Sequence, residues 1–319
     1  MTKKEEFRKK GYIVIKNAFD IDEIENLRES CFKALNIENS INNLKPQNKE
    51  EIRQIHIDEF IKNPDLVNPL FKKSIIDQVR EVLGDDYVNF ADFTLNNNLH
   101  SPIWHTDSQF MGFSTQYVYN PSFKIAKLGL YLQEDDKTYG GQLDIIPGSH
   151  LPTFLGVNSL ISSKSRYGKV SKLQLLAIKI RNKFLKKISV NVSLGDVILF
   201  HGLIWHRSSQ PDWSRLDQID KFGIKNPPYN KRKFMLQWEV SENNEFAKIY
   251  ATHQLKRSEK SYNDASKITL DKFHPSSKSL LDSNKIKIKS YLDLKIPIED
   301  NLKSKDGTPI IFPNQPKNI

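Results

Sequence analysis

Within the segment PIWHTDSQF, His105 and Asp107 stand one residue apart. On a strand, positions i and i+2 point to the same side, so an imidazole and a carboxylate at this spacing can share one metal ion; on a helix they diverge by about 200°. The spacing occurs a second time, in QIHID, at His56 and Asp58. Eight His and 22 Asp in 319 residues supply roughly half an occurrence by chance, so context must separate the two copies. His56 and Asp58 fall in a helical pattern and read as surface or capping residues. His105 and Asp107 fall in the strand-rich half, where they could supply two ligands of a 2-His-1-carboxylate set.

Such a set needs a distant second histidine. GDVILFHGLIWHRSS offers His201 and His206, five apart and so on opposite faces of an uninterrupted strand; only one should reach a shared metal. A mononuclear site with three protein ligands leaves room for a bidentate oxo-acid and dioxygen. The far carboxylate of that acid needs a planar, permanently charged partner, and Arg232 opens the apolar run RKFMLQWEV downstream.

The elements that must position these residues change character near residue 85. Before it, GYIVI reads as a short strand. DIDEIENLRESCFKAL reads as an amphipathic helix with Asp20 as its N-cap and Ile24, Leu27, Cys31 and Leu35 on one side. KEEIRQIHIDEFIKN and NPLFKKSIIDQVREVLG repeat the helical pattern, the latter stopping at Gly84. From Asp85 to Val240, short strand-like runs alternate with turn signals: YVNFADFTL, IAKLGLYLQ, QLDIIPGSH, SVNVSLGDVILFHGLIWH and RKFMLQWEV. This texture predicts a mainly β barrel or sandwich with flanking helices. The expected organisation is one catalytic domain over 1–240, made of a helical support (1–84) and a β core (85–240) with a helical insertion at 151–190. A polar extension, 241–319, wraps around it. In the insertion, Leu173, Leu176, Ile180 and Phe184 form one helical stripe, expected to face the core.

The net charge of +10 is uneven: residues 1–160 carry 18 basic against 23 acidic side chains (net −5), residues 161–319 carry 30 against 15 (net +15). The segment 164–187 alone has nine basic side chains and no acidic one. That charge suits an anionic small-molecule substrate. It does not by itself indicate nucleic acid, for which no helix-turn-helix, zinc or aromatic RNA-binding signature is present. No apolar run is long enough to span a bilayer. The start, MTKKEEFRKKGYIVI, lacks the pattern of a secretory signal, and the single cysteine, Cys31, reads as a core filler; a cytoplasmic setting is expected.

Taken in order, WHTD, GGQLDIIPGSH, GDVILFHGLIWHRSS and RKFMLQWEV resemble the motifs of the phytanoyl-CoA dioxygenase (PhyH) family of Fe(II)- and 2-oxoglutarate-dependent oxygenases. FRKKGYIVIKNAFDIDEIENL resembles that family's N-terminal strand and helix. The resemblance, over roughly residues 7–240, implies a double-stranded β-helix (jelly-roll, cupin-like) core. It implies iron(II) held by His105, Asp107 and His206, with His201 not a ligand. Arg232 would pair with the 2-oxoglutarate C5 carboxylate, and Ser208 and Tyr131 would lie near that cosubstrate. Here the arginine follows the distal histidine by 26 residues rather than the family's usual ten or so. Arg215 lies nearer that spacing, but a polar loop follows it, whereas Arg232 leads into an apolar strand. The implied reaction consumes O2 and 2-oxoglutarate, releases succinate and CO2 and hydroxylates a carbon, with ascorbate as a supporting reductant. Halogenating relatives lack the carboxylate ligand, so Asp107 favours hydroxylation. The rival reading is a jelly-roll binding protein for an anionic ligand, nucleic acid or membrane surface, without 2-oxoglutarate chemistry.

Overall fold

The apolar run YIVI forms β1 (Tyr12–Ile15), and its antiparallel partner is VILFH, β7 (Val197–His201), from the other end of the core. The computed structural model describes residues 1–34, 57–90, 93–97, 104–107, 122–134, 139–151, 180, 184–209, 233–248, 250 and 272–289. The described helices are α1 (Lys3–Lys10), α2 (Ile21–Ala34), α3 (Ile57–Lys62), α4 (Pro64–Val67), α5 (Lys73–Leu83) and α6 (Pro275–Ser283). The remaining strands are β2 (Val88–Phe90), β3 (Thr94–Asn97), β4 (Ile125–Tyr131), β5 (Leu143–Ile145), β6 (Ile188–Ser189), β8 (His206–Ser208), β9 (Phe234–Ser241) and β10 (Lys287–Lys289). They build a seven-stranded sheet, ordered β1-β7-β4-β9-β2-β10 with β3 also on β9, and a three-stranded sheet, β6-β5-β8. The sheets form the jelly-roll that the sequence resemblance implies.

Strand alternation divides the apolar residues between two cores. Leu128 and Leu130 of β4 and Leu236, Trp238 and Val240 of β9 join the helices, while Tyr131, Met235, Ile198 and Phe200 join Leu143 and Ile145 of the smaller sheet. Covered on both faces, β4, β7 and β9 read as nearly continuous apolar runs. Helices supply the outer layer because their apolar spacing leaves one side to bury. α2 buries Ile24, Leu27, Cys31 and Phe32, and α5 buries Ile75, Ile76, Val79, Val82 and Leu83. Each such side chain contributes about 1.5–3 kcal/mol of burial. Asp20 caps α2 as its sequence suggests: Glu23 N–H donates to Asp20 Oδ1 (2.8 Å) and Asp20 N–H donates to Glu23 Oε2 (3.0 Å). Cys31 is fully buried.

Gly195 and Asp196 turn the chain into β7. Gly195 has φ +86°, and a Cβ there would stand 2.3 Å from the Phe19 carbonyl oxygen. Asp196, fully buried, accepts from Asn17 N–H (2.9 Å) on Oδ1, and from Ser193 N–H (2.8 Å) and Lys16 Nζ (2.7 Å) on Oδ2.

Two expectations change. Ile180 and Phe184, read as part of a core-facing stripe, are exposed, Phe184 at 82%; Leu173 and Leu176 lie outside the described residues. Amphipathic spacing predicts a helix's apolar side but not whether anything covers it. The C-terminal region also does more than wrap. Phe273 and Leu281 enter the helix-side core, with Phe273 edge-on to Phe93, and β10 pairs in parallel with β2. Its sequence, KIK, has too little apolar alternation to announce a strand, and flanking lysines are what an edge position tolerates.

His150 and His201 are buried side by side, ring centroids 5.0 Å apart. Burial lowers His150 to about 4, against a hydrogen bond to the Arg8 carbonyl. Burial, then His150, lowers His201 to about 3, against its bond to Phe123, with Lys124 adding a smaller depression. Both stay neutral when folded but take up protons near pH 6.5 when unfolded. Their contribution is therefore complete above about pH 6.5 and is lost as pH falls toward the folded values. Urea midpoints should drop between pH 7 and pH 5, and drop less in His150→Asn. Equal drops in the two proteins would refute the assignment.

Candidate metal and cosubstrate site

His105 and His206 are locked together by their backbones. His105 N–H donates to His206 O (3.0 Å) and His206 N–H donates to His105 O (2.9 Å), an antiparallel bridge that extends the smaller sheet beyond β8. Directly opposed residues carry their side chains on the same face; the two rings lie 4.3 Å apart. Asp107 follows in a tight turn rather than a continuing strand, so the HTD spacing works through a bridge and a bend. Ligand atoms of His105, Asp107 and His206 all lie within 4.8 Å of one another.

Outside this bridge a second contact pins the same segment. Arg207 points away from the core, its Nε donates to Asp144 Oδ2 (2.9 Å), and its guanidinium lies over the Trp104 ring at 4.9 Å. Ser189 donates to the other Asp144 oxygen at 2.6 Å. Trp104 and Arg207 thus clamp on one face what His105 and His206 present on the other.

Electrostatics prepare the three side chains for a cation. His206 Nδ1 lies 3.0 Å from the Ile204 carbonyl, which fixes the proton there and leaves the Nε2 lone pair directed at Asp107 Oδ1, 3.7 Å away. Burial pulls the His206 pKa down to about 4, against the opposing pull of Asp107, so at neutral pH the ring is an uncharged donor. Burial alone would raise the Asp107 pKa, but opposing causes led by the Lys127 ammonium outweigh it and hold the carboxyl at about 2. Asp107 Oδ2 stands 3.2 Å from Lys127 Nζ without an aligned hydrogen bond. Two imidazoles and one ionised carboxylate with an unpartnered oxygen fit a divalent transition metal such as iron(II).

His201 plays another part. Its Nδ1 accepts from Leu203 N–H (3.1 Å) and its Nε2–H donates to the Phe123 carbonyl (2.9 Å), so both ring nitrogens are already used. Its neighbours are Phe7, Phe123 and His150, not Asp107.

Of the other residues named from sequence, Ser208 is buried two positions after His206, and Tyr131 is buried in the core between the sheets, where burial raises its pKa. Arg232, Arg215 and His56 lie outside the described residues, as does the side chain of Asp58. The sequence reading missed Lys127. It sits opposite Glu239 across β4 and β9, 3.3 Å from Glu239 Oε1, while Tyr250 donates to Glu239 Oε2. Asp107, Lys127, Glu239 and Tyr250 line one cleft. The available signal was a lysine in the middle of the apolar strand IAKLGLY. Lys233, masked in sequence by the neighbouring Arg232, is also buried, with Nζ 2.9 Å from Ser208 Oγ.

A jelly-roll holding two imidazoles and a carboxylate in this arrangement defines the class of mononuclear non-haem iron oxygenases. The family model for phytanoyl-CoA dioxygenase (PhyH) matches residues 7–212, and the chain belongs to that family. It is accordingly a non-haem iron, 2-oxoglutarate-dependent dioxygenase. Among solved structures, it is similar to EctD from S. alaskensis with 2-oxoglutarate and 5-hydroxyectoine (19% identity, 74% of each chain covered, TM-score 0.48). It is also similar to the non-haem alpha-ketoglutarate-dependent epimerase SnoN from nogalamycin biosynthesis (13% identity, 75% of this chain and 79% of that one, TM-score 0.47). A third is AviO1 from Streptomyces viridochromogenes Tue57 (15% identity, 75% and 93% covered, TM-score 0.46). No curated protein matches the sequence. No helix among the described residues is long and apolar enough to cross a membrane.

Proposed function

We propose that the protein hydroxylates an aliphatic carbon of a small anionic or carrier-linked metabolite. The observation that carries this reading is the convergence of His105, Asp107 and His206 within 4.8 Å, with His206 Nε2 3.7 Å from Asp107 Oδ1 and the other Asp107 oxygen without a hydrogen bond. In this reading those three residues hold iron(II), which when bound supplies O2 activation coupled to decarboxylation of 2-oxoglutarate to succinate. The protein contributes placement. The His105–His206 bridge fixes two ligands, Lys127 keeps Asp107 ionised, and the apolar core between the sheets excludes water. The family likeness nominates Ser208, Tyr131 and Arg232 as cosubstrate contacts. An intact carboxylate ligand favours hydroxylation over halogenation. The anionic character of the substrate is proposed from the nine basic side chains of 164–187.

Anaerobic addition of Fe(II) and then 2-oxoglutarate should produce a visible metal-to-ligand charge-transfer band, and admitting O2 should yield succinate. Neither signal from folded, iron-supplied protein would refute the reading in favour of a binding protein. Charge reversal at Lys179, Lys183 and Lys187 should raise KM for an anionic substrate; an unchanged KM would remove the charge argument.

A further inference from the structure

We infer that Lys127, anchored by Glu239, is a positioning residue that holds the candidate metal ligand Asp107 to one-oxygen coordination and so keeps a place open beside the metal for the cosubstrate. This role rests on the iron and 2-oxoglutarate reading of the site and adds to it which Asp107 oxygen is offered and what withholds the other.

Asp107 does not set its own orientation. It follows the His105–His206 bridge in a tight turn, and the last torsion of a carboxylate side chain is broad, so the side chain alone does not decide which oxygen faces the imidazoles. A neighbour decides. Lys127 Nζ stands 3.2 Å from Oδ2, an ion pair that leaves Oδ1 facing His206 Nε2 at 3.7 Å. Lys127 projects from the middle of β4 on the same face as Tyr131, between the sheets, and its side chain is 18% exposed, so its charge is little screened. Its own position is fixed from across the sheet. Glu239 lies directly opposite in the β4–β9 register with Oε1 3.3 Å from Nζ, and its Oε2 accepts from the buried Tyr250 hydroxyl, whose ring packs on Phe90. With a partner on each oxygen, Glu239 anchors the ammonium. Phe123, Ile125 and Gly202 complete the cleft around these groups, apolar surroundings in which charge acts strongly.

Two imidazoles and one carboxylate oxygen leave three positions on an octahedral metal, which a chelating 2-oxo acid and O2 together require. A carboxylate that turns both oxygens inward takes one of those positions away. The ammonium at Oδ2 prevents this, and it acts a second time through its charge, repelling a divalent cation and attracting the dianionic 2-oxoglutarate. The two effects agree in sign. Removing Lys127 favours the metal and penalises the cosubstrate, whereas loss of a residue that merely supports the fold weakens both.

The test measures the two affinities separately in wild type and Lys127→Met: Fe(II) into the anaerobic apo-protein, then 2-oxoglutarate into the Fe(II) protein, read from the charge-transfer band. Lys127→Met should bind Fe(II) at least as tightly as wild type and 2-oxoglutarate about tenfold or more weakly. Mn(II)-loaded protein reports the open positions directly, because water proton relaxation scales with the number of metal-bound waters; its relaxivity should fall by about a third, one of about three such waters being lost. Glu239, deprived of the ammonium, threatens the fold of the single variant. Lys127→Met combined with Glu239→Gln removes both buried charges and keeps the net charge, so the same losses of relaxivity and of 2-oxoglutarate affinity there report the hold on Oδ2 alone. Fe(II) and 2-oxoglutarate weakened together, or relaxivity and 2-oxoglutarate affinity both unchanged from wild type, overturns the role of Lys127. A wild type that takes up no Fe(II), or takes it up and gives no band with 2-oxoglutarate, overturns the reading on which that role rests.

Discussion

Alanine at position 206 should reduce iron(II) affinity by more than about a hundredfold, because loss of a hydrogen-bond partner behind a metal ligand already costs about 10–100-fold. The comparison that gives this result meaning is His201→Ala. The two histidines share one short segment and are both buried, yet only His206 has a free lone pair near Asp107. In His201, Leu203 N–H occupies one ring nitrogen and the Phe123 carbonyl takes the proton of the other. Removing that ring leaves a buried amide and a buried carbonyl unsatisfied, a cost of about 1–3 kcal/mol for each. His201→Ala should therefore lower the urea midpoint and still bind iron(II) with near-native affinity. Titration of Fe(II) into the three apo-proteins decides the matter. Tight binding by His206→Ala with loss in His201→Ala would reverse the two roles.

The second large effect is expected at the turn into β7. Asp196→Ala removes one fully buried carboxylate that accepts from two backbone amides and one lysine. Lys16 is half exposed and its share is small. The amides of Asn17 and Ser193 lose charge-assisted bonds worth about 1.5–3 kcal/mol each. A loss of about 3 kcal/mol is a large part of the roughly 5–15 kcal/mol that stabilises a domain. Chemical denaturation should show it, with Asp196→Asn intermediate because one acceptor oxygen survives. A loss below about 1 kcal/mol would mean the turn reorganises around other partners.

What the sequence made legible follows from what each signal measures. Periodicity and caps located β1, α2, α5 and the strands β4, β5, β7 and β9, because a residue's neighbours along the chain determine which side it buries. The candidate trio of His105, Asp107 and His206 was reachable because the HTD spacing and the distal histidine are local motifs that a known family orders. Side chains contributed across strands were not. Lys127 meets Glu239 only through the β4–β9 register, and Gln133 accepts from Phe234 N–H across the same two segments. The Asp144–Arg207–Trp104 clamp likewise joins three separate segments. β10 was missed because its pairing with β2 depends on a free sheet edge more than on its own three residues.

The order of strands in the larger sheet bears on how a ribosome delivers this molecule. β1 emerges early but its neighbour is β7, and β2 must await β9 and then β10. The helices that back the sheet are therefore translated long before the strands that cover their apolar sides. Until β9 is out, Phe32 lacks the Phe234 ring on which it stacks at 4.8 Å, and Leu27, Ile76 and Val79 lack most of the sheet they bury against. Pairings so distant in sequence close slowly, and exposed apolar surface in the interval is what chaperones bind and aggregates grow from. Maturation of this chain is thus a late, nearly concerted closure, and the bridge between His105 and His206 forms only as part of it.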